Sequence, residues 1–309
     1  MLPRDSLIGL AAALTANIIF GLNVPVTKAL MDSWMSPMGY TALRMLFGAT
    51  VFWAVAMLWN REKVGRKDLL LVMAGGLIGY LGTQFMFAQS LEYTTPVIFA
   101  LLISLTPVAT LLISAVFLHE RISRRKSLGI ALSISGAFIV ILEGGDGGSG
   151  SNNLLGIACV LTCVLLYSIY LVMTRKVATK YSPVTIARWM FLVSALSLLP
   201  IMPSEFSHQN IFSSEITTLA LALLGFALVF STTLAFFCMP LALKKLEAGT
   251  VSIFMNLQPL VASTVAITVG QDHFTLQKLL AGVLVLGGVY LVTVRKTGAA
   301  PRAAALAKR

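Results

Sequence analysis

Charge is what this 309-residue chain has least of: Asp, Glu, Lys and Arg make up 11% of it, against 57% hydrophobic residues, and its mean hydropathy is +0.88. Too few polar side chains remain to cover a soluble globule of this length, so the composition is that of a membrane protein. Cysteine is also scarce. Cys159, Cys163 and Cys238 all lie inside apolar runs, which gives no disulfide framework. The Cys159 and Cys163 pair lacks the further ligands a metal site would need. The three histidines, His119, His208 and His273, stand at loops or segment ends, and no HExxH occurs. An intramembrane enzyme needs an acid and a base, or metal ligands, that meet at depth, and the sequence offers none. Acids are missing from the middle of every apolar run, since Glu92, Glu143, Glu247 and Asp272 fall near ends, so no carboxylate relay is visible at mid-membrane. Nothing calls for a cofactor.

What is present is long apolar sequence. Segments bounded by charges or turn residues fall at 7–28, 37–59, 68–90, 95–118, 127–142, 154–174, 183–202, 216–242, 247–270 and 276–294. Their apolar residues run on without strand-like alternation, and unpaired backbone amides in hydrocarbon are costly, so the segments read as helices. Segment 127–142 is short for a span and implies local thinning of the bilayer or interfacial anchoring. Arg4 followed by a run containing Ala11 and Ala13 has the outline of a signal peptide. The run before that site is too short and apolar sequence continues to Ala29, so it reads as a first spanning helix.

The net charge of +11 does not point to nucleic acid, because the basic residues lie between apolar runs and form no patch with interleaved aromatics. With the N-terminus cytoplasmic and ten helices, the cytoplasmic side collects Arg61, Lys63, Arg66 and Lys67, then Arg121 to Lys126, then Arg175, Lys176, Lys180, Lys244 and Lys245 and the basic C-terminal end. Lys28 and Lys278 are left opposite, and Arg44 and Arg188 read as snorkelling from helix ends. Both termini are thus expected inside.

The sequence repeats itself. The stretch from Ser104 to Leu142, SLTPVATLLISAVFLHERISRRKSLGIALSISGAFIVIL, has a weaker copy from Asn256 to Val294, in which Pro259 answers Pro107, Asp272 answers Glu120 and Gly282 answers Gly129. Further back, Gly9 with the run to Lys28 aligns on Gly156 with the run to Arg175. Phe20 then pairs with Tyr167, Asn23 with Tyr170 and Thr27 with Thr174, and Ser36 and Pro37 answer Ser182 and Pro183. Five helices in each half put the second half upside down, an inverted repeat of the kind found in alternating-access transporters. The division reads 1–143 for the first repeat, 144–153 for a glycine-rich outer linker, 154–296 for the second repeat and 297–309 for a basic tail. A phosphate-binding glycine loop would need a strand before it and a helix after it in a soluble unit, which 143–153 lacks.

TP with its apolar run, then LHERIS, a basic step and LGIALSISGAFIVI resemble the end of an EamA domain of the drug/metabolite transporter superfamily, and the resemblance runs twice, from Gly9 to Val294. It implies an all-α ten-helix basket, similar to bacterial amino-acid and metabolite exporters, with helices 1–4 and 6–9 around a central cavity and helices 5 and 10 as peripheral supports. This sequence departs from the pattern at GQDHFT, and Met190 stands at the place of Arg44.

Polar residues within the spans must find a partner or face water. Asn17 and Asn23 in helix 1, Gln84 and Gln89 in helix 3, Tyr167 and Tyr170 in helix 6, and Asn256 and Gln258 in helix 9 are therefore either interhelical hydrogen-bonding groups or cavity lining. Spacing puts Tyr80, Thr83, Gln84 and Phe87 on one face, and Ser252 and Asn256 on another. With Phe20 they form an expected substrate lining of hydrogen-bonding groups and aromatic rings without a buried formal charge. Pro107 and Pro259 read as mid-helix hinges or static kinks. Glu120 and Asp272 read as structural acids at helix ends, since exposed ion pairs contribute little. The expected function is alternating-access export of a small neutral or zwitterionic metabolite such as an amino acid, by a monomer or weak homodimer in the lipid bilayer. Carriage of a lipid-linked or amphipathic substrate is the second transport reading, and a membrane scaffold the non-transport one.

Overall fold

The computed structural model describes residues 4–59, 62–117, 122–146, 153–246 and 254–293. Glu120, Ser252, residues 147–152 of the linker and the basic tail fall outside them. Among the described residues the chain is helical throughout, in ten successive stretches: α1 Arg4–Ser33, α2 Pro37–Trp59, α3 Arg66–Tyr93, α4 Pro96–Phe117, α5 Arg124–Asp146, α6 Asn153–Lys180, α7 Pro183–Leu198, α8 from Thr218 to Lys245, α9 Leu257–Thr268 and α10 Leu276–Thr293. Eight contain helices long and apolar enough to cross a membrane, whereas α7 and α9 are shorter. A short helix, Met202–Ser207, and a 3-10 turn, Asn210–Phe212, fold the chain between α7 and α8.

Local chemistry sets many of these boundaries. Thr95 before Pro96 and Ser182 before Pro183 cap α4 and α7, their hydroxyls accepting from the backbone N–H of Ile98 and Thr185. Proline in the first turn loses no intrahelical bond, because the N–H it lacks would have had no partner there. α5 is longer than its apolar core: with the basic step Arg124–Lys126 and the polar end to Asp146 included it has 23 residues, about 34 Å at 1.5 Å per residue, so the helix runs past its 127–142 apolar core at both ends.

Four irregularities matter for function. α4 is broken at Ser104 and Leu105 into Pro96–Ile103 and Thr106–Phe117, and α9 begins after a turn at Asn256. Pro107 and Pro259, read as sitting mid-helix, instead occupy the first turn of the helix that follows each break. The Thr106 hydroxyl donates to the Ile103 carbonyl at 2.6 Å, the acceptor that Pro107, lacking an N–H, cannot serve. In α3 and α8 the backbone widens into π-helical turns at Gly76–Gly82 and Phe226–Leu234. There the hydroxyls of Thr83, Thr232 and Thr233 each donate to a carbonyl five residues back, Ile78, Ala227 and Leu228, at 3.2, 2.9 and 3.3 Å.

Packing follows a regular scheme. α1 lies against α8 and α9, and α6 lies against α3 and α4; α2 pairs with α7, α4 with α9 and α5 with α10. Exchanging each of α1–α5 with the helix five places later turns this set of contacts into itself. α5 and α10 pack tightly on one another: a Cβ on Gly129 would lie 2.6 Å from the Gly288 carbonyl, and one on Gly288 would lie 2.4 Å from the Gly129 carbonyl. Apolar helices gain nothing from leaving lipid as such, so close backbone approach through small residues is what joins this pair. The main core gathers Leu30, Leu91, Leu102 and Val160, while Leu58, Val116, Phe117 and Val283 point outward.

Candidate functional site

The site grows from the two π turns. In α3 the turn brings backbone, not side chain, against α6: a Cβ on Gly79 would fall 2.2 Å from Cγ of Tyr170, so only glycine leaves room for that ring. Tyr80, the next residue, is buried with its ring 6.0 Å from Tyr170, 4.7 Å from Phe191 of α7 and 5.3 Å from Phe236 of α8. Phe20 of α1 meets Phe236 edge-on at 5.7 Å, and Tyr167 stacks with Tyr170 at 5.7 Å. Offset and edge-to-face pairs of this kind hold rings in fixed orientation. Five helices thus contribute to one aromatic cluster, which contains Phe20, Tyr80, Tyr167 and Tyr170 from the expected set. Phe191 and Phe236 were not anticipated.

One turn beyond Tyr80, Gln84 accepts a hydrogen bond from Nη1 of Arg44 at 2.6 Å. The same guanidinium donates through Nε to the Thr232 hydroxyl at 2.9 Å and through Nη2 to the Ser231 hydroxyl at 3.3 Å, both in the π turn of α8. It lies 5.4 Å from the centre of the Tyr40 ring. Arg44 is 2% exposed. Thr232 lies midway along α8, so the guanidinium reaches the middle of that helix. This corrects the expectation of a lining without buried charge and of an arginine snorkelling to a helix end. The signal was available: Arg44 is an ionisable residue seven positions into an apolar run that contains no acid. Its counterpart Met190 is fully buried, so the charge belongs to one half only.

The other expected residues are distributed as follows. Asn17 donates to the Ala13 carbonyl at 2.7 Å and accepts from Gln258 at 2.6 Å, joining α1 to α9. Asn23 is buried and its Oδ1 has no hydrogen-bond partner. Thr83 is buried behind Tyr80, where its carbonyl accepts from the Cys163 thiol. Phe87 stands apart from the aromatic cluster, in the main core against Phe99 at 5.0 Å. Gln89 donates to Glu92 on a more exposed face. Asn256 is half-buried at the turn before α9.

Two sets of loop contacts flank this centre, one at each end of the molecule. At one end the Ser36 N–H donates to Oε1 of Gln209 at 2.6 Å, the Ser36 hydroxyl donates to Glu205 at 3.0 Å, and the Ile211 N–H donates to the Trp34 carbonyl at 3.1 Å. At the other the Ser182 N–H donates to Oε2 of Glu62 at 3.0 Å, and Nη2 of Arg188 donates to the Glu62 carbonyl at 2.6 Å. Asp68 bonds with Lys180 and accepts from the Tyr181 hydroxyl at 2.8 Å. Arg188 is buried over Trp53 and Trp189, with ring centres at 5.5 and 5.8 Å, beside a cleft of about 570 Å³, and reaches the loop at this end of the molecule. Ser36 and Ser182 are the matched Ser-Pro positions of the two halves, and each offers its N–H to a side-chain oxygen of the opposite half.

Glu62 is ionisable where Gln209 is not. Partial burial pushes its carboxyl up, but hydrogen bonds from the Ser182 backbone and from the Thr185 and Ser182 hydroxyls, with the Arg188 charge, outweigh that and hold it below its ordinary value of 4.5. A depressed carboxylate contributes stability that is present above the ordinary value and lost as pH falls through the folded one. The expected result is a difference in apparent melting temperature between the wild type and Glu62→Gln that is flat from about pH 5 to 8 and narrows progressively as pH falls below the ordinary value of 4.5. A difference that widens on acidification contradicts this.

The fold, with eight helices long and apolar enough to cross a membrane among the described residues, is that of a multi-pass helical membrane protein. The EamA-like transporter family model matches residues 7–142 and 154–294, and the chain belongs to that family. An uncharacterized transporter of Archaeoglobus fulgidus is 28% identical over 85% of this chain and 90% of its own length. A protein of Streptantibioticus cattleyicolor named "probable terminal-alkyne amino-acid exporter" is 25% identical over 75% of each chain. A crystal structure of a protein 21% identical to this one shares the fold, with a TM-score of 0.60 over 95% of this chain and 98% of that one.

Proposed function

We propose that the chain exports small neutral or zwitterionic metabolites, amino acids among them, by alternating access between two inverted five-helix repeats in a bacterial inner membrane, with both termini cytoplasmic. The observation that carries this reading is the meeting of α1, α2, α3, α6, α7 and α8 at one buried centre, with hydrogen-bonding groups at one end and aromatic rings at the other. The self-matching contact scheme and the paired Ser-Pro contacts support inverted repeats, with substrate held near the midplane and each end opening in turn. Helix breaks at Ser104 and at Asn256, and π turns in α3 and α8, give each half the same places to bend. The named amino-acid exporter among the relatives adds support for the substrate class.

The test is flux of labelled amino acids in proteoliposomes. Saturable flux is expected, and its absence across a broad panel overturns the reading. Gln84→Ala and Asn256→Ala are each expected to lower flux by about tenfold while yielding normal amounts of folded protein, the loss matching one hydrogen bond of roughly 1 kcal/mol or slightly more. Wild-type kinetics in both would remove these residues from the lining.

A further inference from the structure

We infer that Arg44 is the counter-charge for an anionic group of the substrate, so that the transported molecules carry a carboxylate together with an apolar or aromatic side chain. The inference rests on the transport reading above and names its substrate class.

Burying a guanidinium without an opposite charge is costly, and arginine does not escape the cost by losing its proton. Arg44 is nevertheless buried, and all its hydrogen-bond partners are neutral: Gln84, Ser231 and Thr232. Among the described residues no carboxylate lies within ion-pair distance of it. Those bonds use three of the five N–H donors a guanidinium carries. The Thr232 hydroxyl, already donating to the Ala227 carbonyl at 2.9 Å, can offer Arg44 only a lone pair. The acceptors therefore orient the cation without neutralising it. A carboxylate is the partner a guanidinium takes best, and one bound there would use the remaining donors and supply the missing charge. Beside the cation, Tyr80 and Phe236 are each within one helical turn of its ligands Gln84 and Thr232, so a side chain attached to that carboxylate meets rings.

The placement also fits a carrier. Arg44 is held by α2 and α3 of one half and by the π turn of α8 of the other. A charge gripped from both halves is one that their relative motion exposes first to one side and then to the other.

Three compounds sharing one side chain separate the outcomes: phenylalanine, phenylalaninamide and 2-phenylethylamine, each measured for flux in proteoliposomes and for thermal stabilisation of the detergent-solubilised protein. Wild-type protein is expected to bind and carry phenylalanine at least about tenfold better than the other two, as the loss of one charge-assisted hydrogen-bonded contact implies. Arg44→Gln is expected to lose that preference, and Arg44→Lys to keep part of it. With wild-type protein alone, 3-phenylpropanoate, which keeps the carboxylate and lacks the amine, is expected to compete with phenylalanine uptake while 2-phenylethylamine does not. That arm holds even if the variants fail to fold. Unchanged preference in folded Arg44→Gln, or competition by the amine and not the acid, overturns the assignment of Arg44 and leaves the transport reading standing. Stabilisation by the acids without flux keeps Arg44 and overturns transport. Neither binding nor flux of any carboxylate in the wild type overturns both.

Discussion

Bridging position 36 to position 209 is expected to abolish transport, and bridging 62 to 182 is expected to do the same. The experiment replaces Ser36 and Gln209, or Glu62 and Ser182, by cysteine in protein lacking Cys159, Cys163 and Cys238, and closes each pair with a short cleavable bis-thiol reagent. The two pairs hold opposite ends of the molecule together through equivalent contacts, a Ser-Pro N–H on a side-chain oxygen of the other half. On an alternating-access cycle each end must open once per turnover, so fixing either stops net flux while leaving the other end free. Flux in proteoliposomes should fall to background for either bridge and return on cleavage, whereas single-cysteine proteins treated with reagent should be unaffected. The bridges should also differ in a second readout: one leaves the central aromatic cluster reachable only from the cytoplasm, the other only from outside, as ligand protection applied from one side of the vesicle would show. A bridged protein that transports at the unbridged rate would dismiss these contacts as gates.

Much of the helical fold was legible because apolar length is a coarse signal that survives divergence. Each expected segment has a helix at its place, and the matched positions Ser36 and Ser182 occupy matched contacts. What sequence missed came from backbone irregularity. Hydropathy is blind to a π turn, so nothing marked Phe226–Leu234 as the place where Ser231 and Thr232 would turn toward Arg44. Periodicity on an ideal helix put Phe87 beside Tyr80, but the widened turn of α3 and its packing direct Phe87 to Phe99. The two prolines were read as kinks within helices because a run of apolar residues hides a break such as the one at Ser104 and Leu105. Snorkelling misplaces Arg44 because its hydrogen-bond partners Ser231 and Thr232 lie across from it in the other half. Contacts between residues nearly two hundred positions apart, such as Arg44 to Thr232, leave no local trace. Asn17 illustrates the alternative reading of a polar residue in a span: its interhelical bond to Gln258 uses the group that sequence offered to a cavity.

The corner between α9 and α10 yields the other large effect. α9 ends at Thr268, two residues before Gly270, whose φ of +77° lies in the left-handed region, and the Gln271 N–H bonds back to the Ala266 carbonyl at 2.9 Å, which turns the chain sharply. The turn buries Asp272, whose Oδ1 accepts from Lys278 at 2.6 Å and from the His273 N–H at 2.7 Å, with side chains 3% and 12% exposed for the acid and the lysine. Lys278→Met would leave that carboxylate buried and unpaired, an arrangement that costs about 3 to 5 kcal/mol. The apparent melting temperature in detergent should then fall by roughly 10 °C. Adding Asp272→Asn removes the orphaned charge and should recover most of the loss, because the cost lies in the unpaired ion rather than in the absence of the pair. If the corner is only a structural fastening, flux per folded molecule stays at the wild-type level in the double variant. A single variant that melts with the wild type would mean that Asp272 is solvated. A double variant that is stable yet carries no substrate would move this acid from the frame of the protein into its working parts.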